Sequence, residues 1–341
     1  MTAPPKLDFN FGGAGERSIV RAYIIRRVLL IIPTFLMVTL IVFIMIRLVP
    51  GHVVDLMAEE LVAESDGVIV FEEAQAKITA QLGFDMPVHI QYFRWMQSAI
   101  QGDLGTSLWG PDNVAEELGR RIPVTLELGI LGAIVALIIA LPIGTYSAIR
   151  QDTLGDYGAR TLAVLCISLP GFWVATLVIV YPSIWWDWTP PLVYVPFAEN
   201  PMGNLIQFIL PAIVMGMYMS GTTMRMTRTM MLEVMRQDYI RTAWAKGLRE
   251  GTVIIRHALK NAMIPVVTVV GLQVPILVGG SVVLESIFGL PGLGLLLIQS
   301  IHERDYPFIS GINLILAGAI LVVNLLVDLT YAYLDPRIRY Q

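Results

Sequence analysis

Between residues 28 and 46 the chain reads VLLIIPTFLMVTLIVFIMI, an apolar run without a single charge, closed off by Arg26 and Arg27 on one side and Arg47 on the other. A helix rises about 1.5 Å per residue and a bilayer's hydrocarbon core is about 30 Å thick, so about 20 such residues suffice to cross it. Comparable runs follow at 124–149, 162–185, 205–224, 264–287 and 308–334, which makes six expected spans. Only 15% of the 341 residues are charged while 55% are hydrophobic. A soluble domain carries about 25% charged residues, so composition agrees with a membrane protein. The first run is longer than the core of a cleaved signal peptide and no small-residue cleavage site follows it, so it is expected to remain as a span.

The basic residues set an orientation. Lys6, Arg17, Arg21, Arg26 and Arg27 precede the first run, and Arg150 and Arg160 lie between the second and third. Arg225, Arg228, Arg236, Arg241, Lys246, Arg249, Arg256 and Lys260 lie between the fourth and fifth, and Arg337 and Arg339 follow the sixth. Residues 187–204 carry no basic residue and the last outer loop only Arg304. Both termini are therefore expected in the cytoplasm. That divides the chain into an N-terminal tail (1–27), a first transmembrane helix (28–46), an extracytoplasmic insertion (48–121), a five-helix core (124–334) containing a cytoplasmic loop (225–263), and a C-terminal tail (335–341). The tail's Pro4, Pro5, Gly12, Gly13 and Gly15 predict little regular structure before residue 20. The insertion is acidic around Glu59, Glu60, Glu64, Asp66, Glu72 and Glu73, and Ala76, Ile78, Leu82, Val88, Tyr92 and Trp95 recur at roughly helical spacing, so short helices are expected.

The chemistry of catalysis is missing from the letters. There is no GxxxxGK[ST] phosphate loop, no GxSxG elbow and no HExxH pair, and the dipeptide Gly-Lys does not occur. Cys166 stands alone inside an apolar run, and His52, His89, His257 and His302 have no ligand-like spacing, so no metal site is expected. A net charge of -4 in a chain of this length gives no nucleic-acid footprint. No enzyme activity and no cofactor in this chain are expected.

The most informative stretch is DYIRTAWAKGLREGTVIIRHALKNA, residues 238–262. Ile254, Ile255, Ala258, Leu259 and Ala262 recur at helical spacing, a short helical stretch precedes them over 239–246, and Gly247 with Gly251 breaks the two. Helix, glycine turn, helix is the expected geometry. On charge alone, a basic loop lying on anionic lipid accounts for it. The order of residues in DYIRTAWAKGL followed by IIRHALKNAMIP, however, closely resembles the inner-loop signature of ABC-importer permeases, in the B-type subunit of the oligopeptide, dipeptide and nickel family. LGFDMPVHIQYFRWMQSAIQGDLGTSL followed by RRIPVTLEL, ESIFGLPGLGLLLIQSIHERDYP and VNLLVDLTYAYLDPRIRY are similar to that family's other patterns, in the same order. Two letters depart from it: Arg241 replaces an acidic residue and Trp244 stands where a basic one is more usual.

The resemblance implies an all-α integral membrane protein of type I ABC-importer permease architecture, six transmembrane helices with a small, mainly helical insertion after the first. It implies one half of a translocation pathway for peptides or similar small solutes in a bacterial or archaeal inner membrane, with nickel chelates, glutathione or oligosaccharides as alternative cargo. The implied partners are a C-type permease subunit, two cytosolic ATPases that hold ATP and magnesium, an extracytoplasmic solute-binding protein and membrane lipid. Coupling to the ATPase falls on Arg241, Thr242, Ala243, Trp244, Ala245, Lys246, Gly247, Leu248 and Arg249. There Ala243 and Ala245 are expected to allow close approach, Gly247 the turn, and Lys246 and Arg249 contacts to acidic or carbonyl groups. A membrane scaffold or receptor that binds a cytosolic partner without transport is the alternative from another class.

Two further sets of residues are candidates. Glu285 and Arg304 are expected to pair across an outer gate whose loop is shaped by Gly289, Pro291, Gly292 and Gly294; the plainer alternative is a solvated ion pair of at most about 1 kcal/mol. Gln273 and Ser281 are candidates for lining the translocation path, where polar packing between helices would leave the same letters.

Overall fold

In the computed structural model, residues 14–48, 53–65, 69–191 and 193–334 are described, and all regular structure among them is helical apart from one isolated antiparallel bridge between Thr106 and Asn113. The helices are α1 (Ala14–Leu48), α2 (Val53–Glu64), α3 (Phe71–Gln81), α4 (Val88–Ile100), α5 (Val114–Ile149), α6 (Leu154–Ser168) and α7 (Gly171–Trp186). There follow α8 (Pro201–Met235), α9 (Asp238–Ala245), α10 (Glu250–Thr252), a π-helical turn (Val253–Leu259), α11 (Lys260–Leu272), α12 (Val274–Phe288), α13 (Leu293–Glu303) and α14 (Tyr306–Leu334). Among the described residues five helices are long and apolar enough to cross a membrane singly, and two bent pairs bring the number to as many as seven.

Several boundaries differ from the sequence reading, each for a local reason. Residues 14–27, expected in the tail, continue the helix of the first span, because nothing between Ser18 and Arg27 interrupts it. The tails at 1–13 and 335–341 lie outside the described residues, as does Asp66. The end of the insertion, 114–121, forms the first turns of α5: Asn113 accepts the Glu116 N–H at 3.2 Å and Glu116 and Glu117 sit at the positive end of the helix dipole. The third expected span breaks in two at Leu169, where α6 and α7 meet at 94°. Leu169 precedes Pro170 and adopts φ -81°, ψ 124°, the extended backbone that a following proline favours, so the helix cannot run through. The fifth expected span is likewise divided at Gln273, just ahead of Pro275.

The centre of the molecule is the contact of α5 with α8. Small residues bring the two backbones together: a Cβ on Gly216 would stand 2.8 Å from the Gly132 carbonyl, and one on Gly144 would stand 2.8 Å from the Met224 carbonyl. Around this seam Val124, Leu128, Ala136, Phe208, Val214, Met215 and Met219 bury themselves with Ala175 of α7 and with Leu277, Leu284 and Phe288 of α12. A separate small core in the insertion joins α2 to α3 through Val53, Val54, Ala58, Ala74 and Ile78. The chain thus attaches two corners to α5, one toward each of its ends.

Candidate functional site

The loop after α8 is shorter than the basic segment suggested. Helix α8 continues to Met235, and α10, the π turn and α11 form one rod over Glu250–Leu272, so only residues 236–249 stand outside long helices. Within them α9 is pinned by Ile240, fully buried, and Ala243, which pack on Met231, Val253, Ile254, Ala258, Ala262 and Ala148. Burying an isoleucine contributes about 1.5–3 kcal/mol, enough to fix which face of so short a helix points inward. Asn261 ties the two arms together, donating to the Tyr239 hydroxyl at 3.0 Å.

The turn after α9 is held by two nested backbone bonds, Gly247 N–H to Trp244 O (2.9 Å) and Leu248 N–H to Ala243 O (3.4 Å). This is the glycine-terminated helix end in which the residue after the cap is left-handed, and Gly247 has φ +73°. What remains outward is Arg241, Thr242, Trp244, Ala245, Lys246, Gly247, Leu248 and Arg249. Trp244 is 41% and Leu248 38% exposed, so an apolar pair is flanked by cations on a projecting helix end. Arg241 contacts Asp238 at 3.3 Å, both largely in water, a pair worth little. Two sequence expectations change here. Ala243 faces the protein's own core, so it is not a contact surface, and Ile255 is 67% exposed while Val253 takes its place inside. The π turn explains the second: a turn widened to i→i+5 shifts the buried stripe to Val253 and Ala258.

Behind this loop lies a corner that the sequence reading treated only as orientation markers. Asp156, fully buried, accepts from Arg228 Nε at 2.8 Å and Nη2 at 2.9 Å, from Arg160 Nε at 3.1 Å, from the Asp152 N–H at 3.0 Å and from the Ser147 hydroxyl. Arg160 also reaches Asp152 at 3.1 Å. One carboxylate therefore joins the end of α5, the start of α6 and the C-terminal part of α8, which leads on to α9. The i, i+4 spacing of Asp156 and Arg160 was visible in the sequence; Arg228 on another helix was not.

At the Thr125 end of α5, Glu285 does not pair with Arg304, and no ion pair joins them among the described residues. The reason is helix α13, which runs between them: Glu285 sits at its N-terminus, and Arg304, with φ 55°, caps its far end. Glu285 is fully buried and accepts the Gly294 N–H at 2.6 Å and the Leu295 N–H at 3.2 Å on one oxygen and the Thr125 hydroxyl at 2.8 Å on the other. Thr125 in turn accepts the Leu293 N–H at 2.8 Å. A buried carboxylate and a threonine of α5 thus cap the first three amides of α13. Gly292 and Gly294 leave room for that carboxylate, since a Cβ on Gly292 would collide with Glu285 Oε2 and one on Gly294 would stand 2.9 Å from it. Gly289 ends α12 at φ 67°, and partly buried Pro291 lies in the 79° bend.

Removing the threonine hydroxyl while keeping its shape, Thr125→Val, is expected to cost about 1–3 kcal/mol, because one substitution strips a donor from Glu285 and an acceptor from Leu293 in a dry place. A lower thermal midpoint of the purified protein checks this; an unchanged midpoint would show that the cap is not holding the corner.

The next corner along, Asp305, is 1% exposed and accepts from Ser107 and from the Leu108 N–H at 3.3 Å, while Trp109 donates to the Glu303 carbonyl at 2.7 Å. These contacts attach the insertion to the junction of α13 and α14. Burial pushes the Asp305 carboxyl above its ordinary pKa, against the opposing pull of the Ser107 and backbone donors. The two path candidates are turned inward in this chain. Gln273 donates to the Thr223 hydroxyl at 3.2 Å and Ser281 to the Val278 carbonyl at 2.9 Å, and both are buried. The accessible face beside them is an apolar groove of about 420 Å³ lined by Phe172, Met215, Tyr218, Gly279, Gly280 and Val283.

With the geometry in view, likeness to known proteins can be placed on it. Residues 140–340 match the family described as binding-protein-dependent transport system inner membrane component, and residues 20–129 match its N-terminal companion. A putative peptide transport system permease protein of Brucella abortus is 40% identical over 319 residues, covering 94% of this chain and 99% of that protein. The dipeptide transport system permease protein DppB of Escherichia coli is also 40% identical, over 343 residues, again covering 94% of this chain and 99% of the relative. Among solved structures, an inward-facing MetNI methionine ABC transporter chain aligns with a TM-score of 0.51 at 16% identity, covering 64% of this chain and 96% of the other, which is a likeness of fold.

Proposed function

Because the chain belongs to the family of binding-protein-dependent transport system inner membrane components, whose signature spans residues 140–340, we propose that it carries short peptides through the membrane and takes its motion from an ATPase seated on residues 238–249. It is the non-catalytic, membrane-spanning permease subunit of an ABC importer, a multi-pass inner-membrane protein that works with a partner permease, an ATPase and a binding protein. Peptides are supported as cargo by full-length likeness to relatives named for peptide and dipeptide transport.

The observation that carries the coupling assignment is the division of α9 into two faces: Ile240 and Ala243 fasten it to the permease, while Trp244, Lys246, Leu248 and Arg249 project from a glycine-terminated end. An apolar centre with a basic rim is what a groove with carbonyl and acidic edges accepts. In this reading the partner is a second, C-type permease, two cytosolic ATPase subunits bind ATP and magnesium, and both termini of this chain lie on their side of the membrane. When the ATPases close, α9 moves with its groove and the long helices swing to open the pathway alternately to each side. Glu285, Gly289, Pro291, Gly292 and Gly294 then form a rigid outer corner, with Arg304 at the far end of α13. The Gly279 and Gly280 face, next to Gln273 and Ser281, borders the pathway once the second permease is in place.

Reconstitution with the partner permease, ATPases and binding protein tests this directly. ATP-dependent accumulation of labelled dipeptide inside vesicles is expected, together with ATPase activity that rises with loaded binding protein. A complex that assembles yet moves no solute would instead support the scaffold reading.

A further inference from the structure

Helix α4 carries its side chains in four distinct directions. Tyr92 and Met96 are buried against α1. About a quarter turn round lie Phe93, 68% exposed, and Ile100, 79% exposed. Exposed Gln97 and Arg94 follow on the far side. The remaining flank, with Gln91, Arg94, Trp95 and Ser98, lines a cleft of about 660 Å³ that also receives Asp85, Asp103 and Tyr306. One flank of α4 therefore lines a cleft, and the opposite one is apolar and uncovered.

The depth of α4 follows from what it touches on α1. Gln91 accepts from Arg47 Nε at 3.1 Å and Nη2 at 2.7 Å, and Arg47 is the last residue of the apolar window Leu29–Arg47. The rings of Tyr92 and Trp95 lie 5.3 and 5.9 Å from that of Phe43. The Tyr92 hydroxyl reaches further, to the Thr39 hydroxyl at 2.9 Å and the Leu36 carbonyl at 3.2 Å. At about 1.5 Å per residue, Phe43 lies about 6 Å and Thr39 about 12 Å inside the boundary that Arg47 marks. Tyr92, Trp95 and Met96 all pack on Phe43, and the backbones of α1 and α4 come close over little of their length, so α4 leaves α1 instead of following it.

We propose that α4 is an in-plane membrane helix whose Phe93 and Ile100 flank rests on the acyl chains of the leaflet facing the insertion, with the phospholipid bilayer as its partner. Amphipathic helices of this kind sit about 5–10 Å into the boundary between headgroups and chains, which is the depth that the Phe43 and Arg47 contacts set. Water at that level of α1 is excluded by the bilayer, so an uncovered phenylalanine and isoleucine there meet lipid. Gln97, next round from Phe93, then reaches headgroups, and Tyr92, Phe93 and Trp95 supply the aromatic residues that favour an interface. The insertion thereby holds the Arg47 end of α1 from the side, and the cleft lies on the flank of α4 opposite the lipid.

Single cysteines read the depth. Phe93→Cys, Ile100→Cys and, as a control on exposed α3, Glu73→Cys are made in a Cys166→Ala background and labelled with a fluorophore. The complete complex is reconstituted in phosphatidylcholine vesicles carrying a nitroxide at a shallow acyl carbon. Labels at 93 and 100 are expected to be quenched by the nitroxide severalfold more than the label at 73, and iodide is expected to show the reverse order. Equal iodide quenching at all three positions, or shielding of 93 and 100 only on addition of the binding protein, overturns the proposal. The unmodified chain gives a second reading: photoactivatable phosphatidylcholine is expected to form adducts within 93–100. Adducts on the exposed face of α1 with none on α4 would equally overturn it.

Discussion

Replacing Asp156 by alanine is expected to abolish transport and to lower the thermal midpoint of the complex more than any other single change where α5, α6 and α8 meet. The carboxylate is fully buried and satisfies Arg228, Arg160, Ser147 and the Asp152 N–H together. Breaking a buried ion pair by removing one partner costs about 3–5 kcal/mol, because the other charge is left uncompensated. The lower part of that range applies, since the Arg160 side chain is 40% exposed and regains water, whereas Arg228 at 19% regains much less. Asp156→Ala combined with Arg228→Met removes the stranded charge, so the double variant is expected to be more stable than Asp156→Ala alone. Equal or additive losses in a thermal-unfolding comparison of the three variants would show that the pair does not act as a unit.

Changing Gly247 is expected to impair ATP-driven uptake while leaving membrane insertion intact. At φ +73° a side chain is strained whatever space surrounds it, and here nothing lies within 4 Å of where a Cβ would stand, so the penalty is one of backbone conformation alone. Asparagine visits this region more readily than alanine, and a β-branched residue least of all. Uptake is therefore expected to fall in the order Gly247→Asn, Gly247→Ala, Gly247→Val, with the valine variant losing its turn at a cost of about 1–3 kcal/mol. Normal uptake by Gly247→Val would remove α9 and its turn from the coupling path.

The spans were legible because crossing a bilayer demands a length and a polarity that few soluble helices share, as residues 28–46 show. The turn at Gly247 was legible for a similar reason, since only a glycine ends a helix at so little cost in a left-handed conformation. What could not be read was direction within a span. LPGF at 169–172 is compatible with a tolerated kink or a full break, and the 94° corner depends on what α6 and α7 pack against. Glu285 shows the limit at a site. Its acidic letter suggested the nearest cation along the chain, Arg304, yet a helix N-terminus offers the same positive field from backbone amides that leave no trace in the letters. Asp156 was missed for a related reason: Arg228 comes from a helix 72 residues away, and separations of that kind are set by packing.

Helix α5 touches both of these corners. Thr125 grips Glu285 near one end and Ser147 grips Asp156 near the other. Twenty-two residues at about 1.5 Å each put them about 33 Å apart, close to the thickness of the hydrocarbon core. The helix is therefore a shaft clamped at two points about one hydrocarbon thickness apart, and a twist applied at the Ser147 clamp is either delivered to the Thr125 clamp or absorbed between them. Pro142 is the one proline of α5 that lies between the clamps, and a proline lacks the N–H that would stiffen that turn. The one place between the clamps where the shaft's own hydrogen-bond ladder lacks a donor thus lies within two turns of Ser147, much nearer that corner than the other.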